Sequence, residues 1–370
     1  MIILTVNSGS STLKLALYKI ENDAVCLHES KVFQNSSGQL NQGVNSFVAS
    51  IDQENIVAVC HRVVHGGDKL TLPCLINHEV EKEIDRLSAL APLHNPLALK
   101  WIRYFKQLLP IKTHQIAVFD TTFFHTLPNV AREYALPKNV CTKHNLRRYG
   151  FHGLAHQSML QQYYTLEKEN THSHKIISLQ LGSGCSITAS IGNQAMDTSM
   201  GFTPMEGLIM STRCGDIDTG LILYLQQQLN YSIRELDTLL NNESGLLGIS
   251  SLSGDMRQLL ASDLPSAKLA IEMYCYRIKK YIGAFIVVLG GIDAIIFSGG
   301  VGENAPQIRK NILGDLSWLG IVLDTEKNNN IVGTLKNVAN PTSTCSIWIV
   351  PSDESKLLAE QAKTLLNKLV

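Results

Sequence analysis

At 370 residues the chain is longer than one hydrophobic core comfortably serves, so two domains are expected. Its 45% hydrophobic and 17% charged content describes a soluble globular protein. Lys plus Arg equals Asp plus Glu at 32 each, which gives no global electrostatic reason to expect nucleic acid or an anionic membrane as partner. Any anion must be held locally. The N-terminus carries no basic leader or cleavage-site pattern, and the longest apolar stretch, 284–297, is interrupted by Gly290, Gly291 and Asp293. A cytoplasmic enzyme-like chain is therefore expected. The eight cysteines are scattered with no CxxC pair, so most are expected to be reduced core residues.

The chain opens with an apolar run, 2–6, that leads into NSGSSTLK (7–14). Small hydroxylated residues and Gly at a strand end leave backbone N–H groups open to a phosphate; the competing reading is a hairpin turn. KIISLQLGSGCSITASIG (175–192) repeats the same order, with Ser8, Gly9 and Ser11 matching Ser183, Gly184 and Ser186. Two copies of one strand-loop-strand unit are expected.

Strands follow at 13–20 and 24–33, and the polar segment 34–46 is expected to be a surface loop. A strand at 56–60 runs into HRVVHGG (61–67), helices are expected at 80–90 and 95–109, and a strand at 115–119 delivers Asp120. Segment 121–149 looks like a crossing between halves, a helix at 152–164 follows, and the meander restarts at 175–181. Segments 205–209, 220–229 and 232–240 precede a long helix at 266–289; a strand at 294–297 feeds SGGVGEN (298–304) and a helix at 305–313. The last strand, 346–350, precedes Asp353, Glu354 and a helix at 355–369. A strand triplet followed by helix-strand alternation, used twice, points to two similar α/β domains, 1–124 plus 355–370 and 125–354, with a cleft between them.

Several constellations could carry chemistry. Arg62 and Val64 share a face of the HRVVHGG stretch, so a guanidinium and an aliphatic wall could line one pocket. In APLHNP (91–96), Asn95 or His94 could cap the second helix; Asn95 is expected to do so, which leaves His94 unexplained. Asp120 stands at a strand end, where a carboxylate either serves a metal or a proton relay or caps a turn. YGFHGLAH (149–156) has two histidines four apart but no glutamate between them, so it is not HExxH; His152 is expected at a helix start and His156 in a structural role. Arg213, in a segment rich in Gly, Thr and acids (197–220), reads as an anion clamp or as a strut to Asp216 or Asp218. SGGVGEN fails as a dinucleotide fingerprint, because the third glycine of GxGxxG would fall at Ala305. Glu354 is a metal ligand or the acidic first turn of the last helix.

Taken together, NSGSSTLK, HRVVHGG, APLHNP, FDTTFFHTLP, YGFHGLAH, DTSMGFTPMEG, TRCGDIDTG, SGGVGEN and SDES, in this order, resemble the acetate kinase family of short-chain carboxylate kinases over nearly the whole chain. The resemblance implies two duplicated ribonuclease H-like domains of the sugar kinase, heat-shock chaperone and actin superfamily, and reversible phosphoryl transfer from ATP to acetate, direct and in line with Mg²⁺, or Mn²⁺ in its place. It implies that Arg62 and Arg213 hold the acyl carboxylate and the transferring phosphoryl group, with His152 and His94 beside them. Asp120, Glu354 and Asn7 match the groups around the metal. Val64, Leu93, Phe151 and Pro204 match the pocket for the substrate's methyl group. The nucleotide is implied to lie on Lys14, Gln180, Gly182, Ser183, Gly184, Asp255, Met256, Arg257, Gly299, Gly300, Val301, Gly302 and Asn304. The family also suggests a homodimer, with a small carboxylate and a nucleotide as small-molecule partners and neither nucleic acid nor membrane.

This chain departs from the family where HLGNGSS becomes QLGSGCS (180–186): Gln180, Ser183 and Cys185 replace His, Asn and Ser. Gln180 donates a hydrogen bond but carries no charge, so weaker nucleotide binding or an altered phosphoryl donor is expected. Cys214 also replaces a usual serine. Propionate is the rival substrate, and a degenerate nucleotide-sensing module is the rival class.

Overall fold

The computed structural model describes residues 1–9, 12–34, 40–167, 173–331 and 333–369. It divides into two compact units. Unit 1 comprises Met1–His125, Phe151–Leu154 and Asp353–Val370; unit 2 comprises Thr126–Gly150 and Ala155–Ser352.

Unit 1 is built on strands β1 (Ile2–Ser8), β2 (Thr12–Glu21), β3 (Ala24–Gln34), β4 (Ile56–Val63), β5 (Cys74–Leu75) and β6 (His114–Phe119), in the sheet order β3-β2-β1-β4-β6-β5. β1, β4 and β6 run parallel, whereas β2, β3 and β5 pair antiparallel to their neighbours. The parallel strands read as nearly unbroken apolar runs because both faces of the sheet are covered. Leu4, Val6, Leu15 and Leu17 pack with Val44 and Phe47 of helix Leu40–Ala49 and with Trp101 and Phe105 of helix Asn95–Leu108. The alternate positions Ile3, Ala16 and Tyr18 face Leu357, Leu358 and Ala362 of helix Glu354–Leu366. Trp101 and Phe105 are fully buried, and truncating either to Ala would cost about 3–5 kcal/mol.

Unit 2 contains β7 (Lys175–Leu181), β8 (Cys185–Ile191), β9 (Gln194–Thr198), β10 (Ala294–Ser298), β11 (Lys336–Asn337) and β12 (Ser346–Ile349), in the order β11-β12-β10-β7-β8-β9. Read from its other edge, this is the unit 1 order, with the same parallel and antiparallel pairings. The echo between 7–14 and 175–192 thus extends to a duplicated six-stranded sheet, the ribonuclease H-like arrangement. Helix Pro265–Leu289 has Pro at its start and closes on Gly290 in the left-handed region. Among the described residues no helix is long and apolar enough to cross a membrane, and all eight cysteines are free.

Four local expectations are corrected. Part of the polar segment 34–46 is helical: in helix Leu40–Ala49, Leu40, Val44, Phe47 and Val48 are buried at helical spacing that the intervening polar residues hide. Residues 35–39 lie outside the described residues, as do Ser10 and Ser11 of the opening loop. β4 continues to Val63, so Arg62 belongs to the strand itself. SGGVGEN is not a loop between strand and helix, since Gly299–Asn304 is itself helical. Finally, Asn95 does not cap its helix. The cap position is His94, and the buried Asn95 side chain accepts from His65 N at 3.1 Å and donates to the carbonyls of His65 and Ile84.

Candidate active site

In unit 1 three neighbouring parallel strands deliver three polar side chains at their carboxyl ends: Asn7 from β1, Arg62 from β4 and Asp120 just after β6. Arg62 forks onto Asp120, with Nε to Oδ1 at 2.9 Å and Nη2 to Oδ2 at 2.6 Å. Its Nη1 donates to Asn7 Oδ1 at 3.1 Å and lies 3.6 Å from Glu354 Oε2. Asn7 Nδ2 closes the ring by donating to Glu354 Oε2 at 2.7 Å. Glu354 reaches the group from the first turn of helix Glu354–Leu366, whose cap is Asp353. Burial works against the Arg62 cation, but Asp120 and Glu354 beside it raise its pKa above the ordinary guanidinium value.

His152 stands just before helix Gly153–Leu166 with φ of +60°, and Gly153 N donates to Asp120 O at 3.1 Å. A Cβ on Gly153 would lie 2.1 Å from that oxygen, so only glycine lets the two segments meet. Of the apolar residues, Val64 and Phe151 are buried, whereas Leu93 is 61% exposed. The Asn95 bracket seats the backbone of His65, whose ring meets Phe151 edge-on at 5.4 Å between centroids. HRVVHGG and APLHNP are therefore parts of one loop support.

In unit 2, Gly182, Ser183, Asp255, Met256, Arg257, Gly300, Val301 and Asn304 line a cavity of about 690 Å³. Ser211, Leu246, Gly254, Leu260 and Ala305, which sequence reasoning missed, complete its wall. Their signal was weak: scattered small and apolar residues outside the motifs singled out. Leu246, Met256 and Leu260 give the cavity an apolar side suited to a flat base. Arg257 pairs with Asp255 at 2.6 Å but is exposed. Gly184, Gly299 and Gly302 lie outside the lining, although Gly184 follows Gly182 in the β7–β8 turn and the other two share helix Gly299–Asn304 with Gly300. Gln180, on β7, has a buried Oε1 with no hydrogen-bond partner among the described residues. Lys14 lies in unit 1, opposite Asn7 in the β1–β2 register.

Arg213 is also in unit 2, half-buried, with Nη1 donating to Pro204 O at 2.6 Å. Burial lowers its pKa, and among the described residues no carboxylate offsets its charge. His156 is fully buried between Ser178 Oγ at 2.7 Å and Ser186 Oγ at 2.8 Å, and burial brings its pKa down to about 3. That geometry accords with the structural role expected for it. Among the described residues no cluster of three or more His, Cys, Asp or Glu side chains is arranged to hold a metal ion.

Comparison with known proteins gives one answer. Residues 28–360 match the Acetokinase family. The acetate kinase of Chloroherpeton thalassium is 45% identical over 326 residues, covering 86% of this chain and 76% of that protein. The acetate kinase of Halothermothrix orenii is 38% identical over 99% of this chain and its own whole length. Among solved structures, the Porphyromonas gingivalis acetate kinase superposes with a TM-score of 0.87 at 34% identity and 99% coverage of both chains. A propionate kinase from Francisella tularensis does so with a TM-score of 0.87 at 36% identity, over 97% of this chain and 98% of its own. A match over most of its length, on a duplicated ribonuclease H-like scaffold, means that this chain belongs to the Acetokinase family.

Proposed function

We propose that the protein is an acetate kinase, which reversibly transfers a phosphoryl group from ATP to acetate to give acetyl phosphate and ADP. The observation that carries this reading is the Asn7–Arg62–Asp120–Glu354 ring in a chain of this family. A carboxylic acid with a pKa of ~4 to 5 is already an anion at neutral pH, so the nucleophile needs no strong base. The difficulty is the approach of one anion to another, and positioned positive charge offsets that repulsion.

In unit 1 Arg62 is oriented by Asp120 and Asn7, beside the buried Val64 and Phe151, which suit a small acyl group. Asp120 is cast as a holder of charge and not as a base, because both its oxygens accept from Arg62. In unit 2 the cavity takes the nucleotide, and Arg213 offers a cation that no carboxylate among the described residues offsets.

Asp120 and Glu354 offer carboxylate oxygens and Asn7 an amide oxygen, donors of the kind that would, with substrate phosphates, hold Mg²⁺ or Mn²⁺. Such an ion would neutralise charge on the phosphate oxygens. The eight free cysteines support a cytoplasmic location. The exposed Leu269, Met273, Tyr276, Val287 and Val288 of helix Pro265–Leu289 support a homodimer.

Hydroxylamine trapping of acyl phosphate, with ATP and Mg²⁺ and with acetate, propionate and butyrate side by side, tests the reading. Acetate is expected to react fastest. A propionate preference would reassign the substrate, since one methylene is worth only ~1 to 3 kcal/mol. Failure to trap with any of these acids would sink the assignment.

A further inference from the structure

Arg213 is placed by its main chain more than by its side chain. Its guanidinium has one hydrogen bond among the described residues, from Nη1 to Pro204 O, and no carboxylate pairs with it. What sets the arginine must therefore be what sets the backbone on either side of that contact.

The two partners stand at matched distances from one junction: Pro204 is three residues before Gly207, and Arg213 is three residues before Asp216. Gly207 and Asp216 are tied twice. Asp216 N donates to Gly207 O at 2.9 Å, and Gly207 N donates to Asp216 Oδ1 at 2.8 Å. The tie closes segment 207–216 at its neck. Gly207 has φ of +107°, and a Cβ there would lie 2.6 Å from Ser199 O, so the neck tolerates no side chain at that position.

The neck is anchored on helix Pro265–Leu289. Arg277 Nη1 donates to Gly207 O at 3.2 Å and to Asp216 O at 3.1 Å, and it lies 3.4 Å from Asp216 Oδ2. Tyr281 OH donates to the same Oδ2 at 2.8 Å. Arg277 and Tyr281 are four residues apart, so they share one face of the helix. Burial, with Asp216 adding to it, raises the Tyr281 pKa and keeps its hydroxyl a donor.

We infer that Asp216, Arg277 and Tyr281 are positioning residues that set the Arg213 guanidinium by holding the Gly207–Asp216 neck, without touching substrate. The inference rests on the reading that Arg213 serves the transferring phosphoryl group. A preorganised group displaced by 1 Å can lose ~10²-fold in rate, so a slack neck should appear in turnover.

The test is a double-mutant cycle on kcat, with Asp216→Ala and Tyr281→Phe made in the wild-type and Arg213→Ala backgrounds. In the wild type Asp216→Ala should lower kcat about tenfold or more, and Tyr281→Phe about threefold, with KM for ATP kept within about twofold. Asp216→Asn should restore most of the loss, because its amide oxygen still accepts from Gly207 N. In the Arg213→Ala background the same changes should do nothing further, since their route to the reaction is gone. Losses that multiply in that background, or a KM for ATP that moves with kcat, would overturn the inference. If Asp216→Ala does not fold, Tyr281→Phe, which deletes one hydroxyl, runs the same cycle. Near-normal kcat in Arg213→Ala alone would instead break the reading of Arg213 itself, before any neck variant is made.

Discussion

Arg62 in unit 1 and Arg213 in unit 2 are the same side chain in opposite electrostatic surroundings. Arg62 meets Asp120, Glu354 and Asn7, and the acids more than offset the effect of burial on its pKa. Arg213 meets one carbonyl, and burial lowers its pKa. The first is part of an ion-pair network that fixes its geometry. On the proposed function the second keeps its charge for a ligand, which is costly to the free protein and useful to an anion.

The largest expected effects are on turnover. Arg213→Ala and Arg62→Ala should each reduce kcat by about 10² or more, the scale of losing one preorganised charge donor. Near-normal turnover in either would sink that residue's role. The contrast is sharpened by stability, measured as urea unfolding. Arg62→Ala leaves the Asp120 carboxylate, 1% exposed, without its partner, and should cost about 3 kcal/mol. Arg213→Ala removes an unpaired charge and should cost less than about 1 kcal/mol. Equal costs would break the comparison.

The next effect is on pH dependence, read at His61 in unit 1 and His156 in unit 2. Burial brings His61 down to about 4 and His156 down to about 3, both below the ordinary value near 6.5. Both are neutral when folded, and the unfolded chain takes up their protons first. Stability should thus be flat above pH ~6.5 and fall as pH drops, towards about 4 for His61 and about 3 for His156, by up to ~1.4 kcal/mol per pH unit from each. His156→Asn should flatten the lower part of that profile, and an unchanged slope would refute the burial argument for unit 2.

The smallest effect concerns Gln180, whose buried Oε1 has no partner among the described residues. Gln180→His restores the family's usual residue, which can donate a charge-assisted bond, and should lower KM for ATP by about threefold. No change would make this departure neutral.

Much of the framework was legible because strand periodicity and strand-end punctuation are local signals. The meander, the echo at 175–192 and Asp120 at a strand end all follow from spacing of two and from Gly or polar stops. The helix at Leu40–Ala49 was not, because Asn, Gln and Ser between its apolar positions mimic a loop. Asn95 was misread for a related reason: a capping sequence and a buried bracket to His65 look alike until the partner chain segment is seen. The ring around Arg62 needed three strands and a helix from the far end of the sequence. No local pattern pairs Asn7 with Glu354.

The helix that supplies Glu354 also completes the core of unit 1, through Leu357, Leu358, Ala359, Ala362 and Leu366 against β1, β2 and β4. Unit 1 therefore cannot finish folding when its own strands leave the ribosome. It must wait, with the sheet face that this helix covers left open, until all of unit 2 and residue 366 have been made. Unit 2 is free to fold first, although it comes second in the chain.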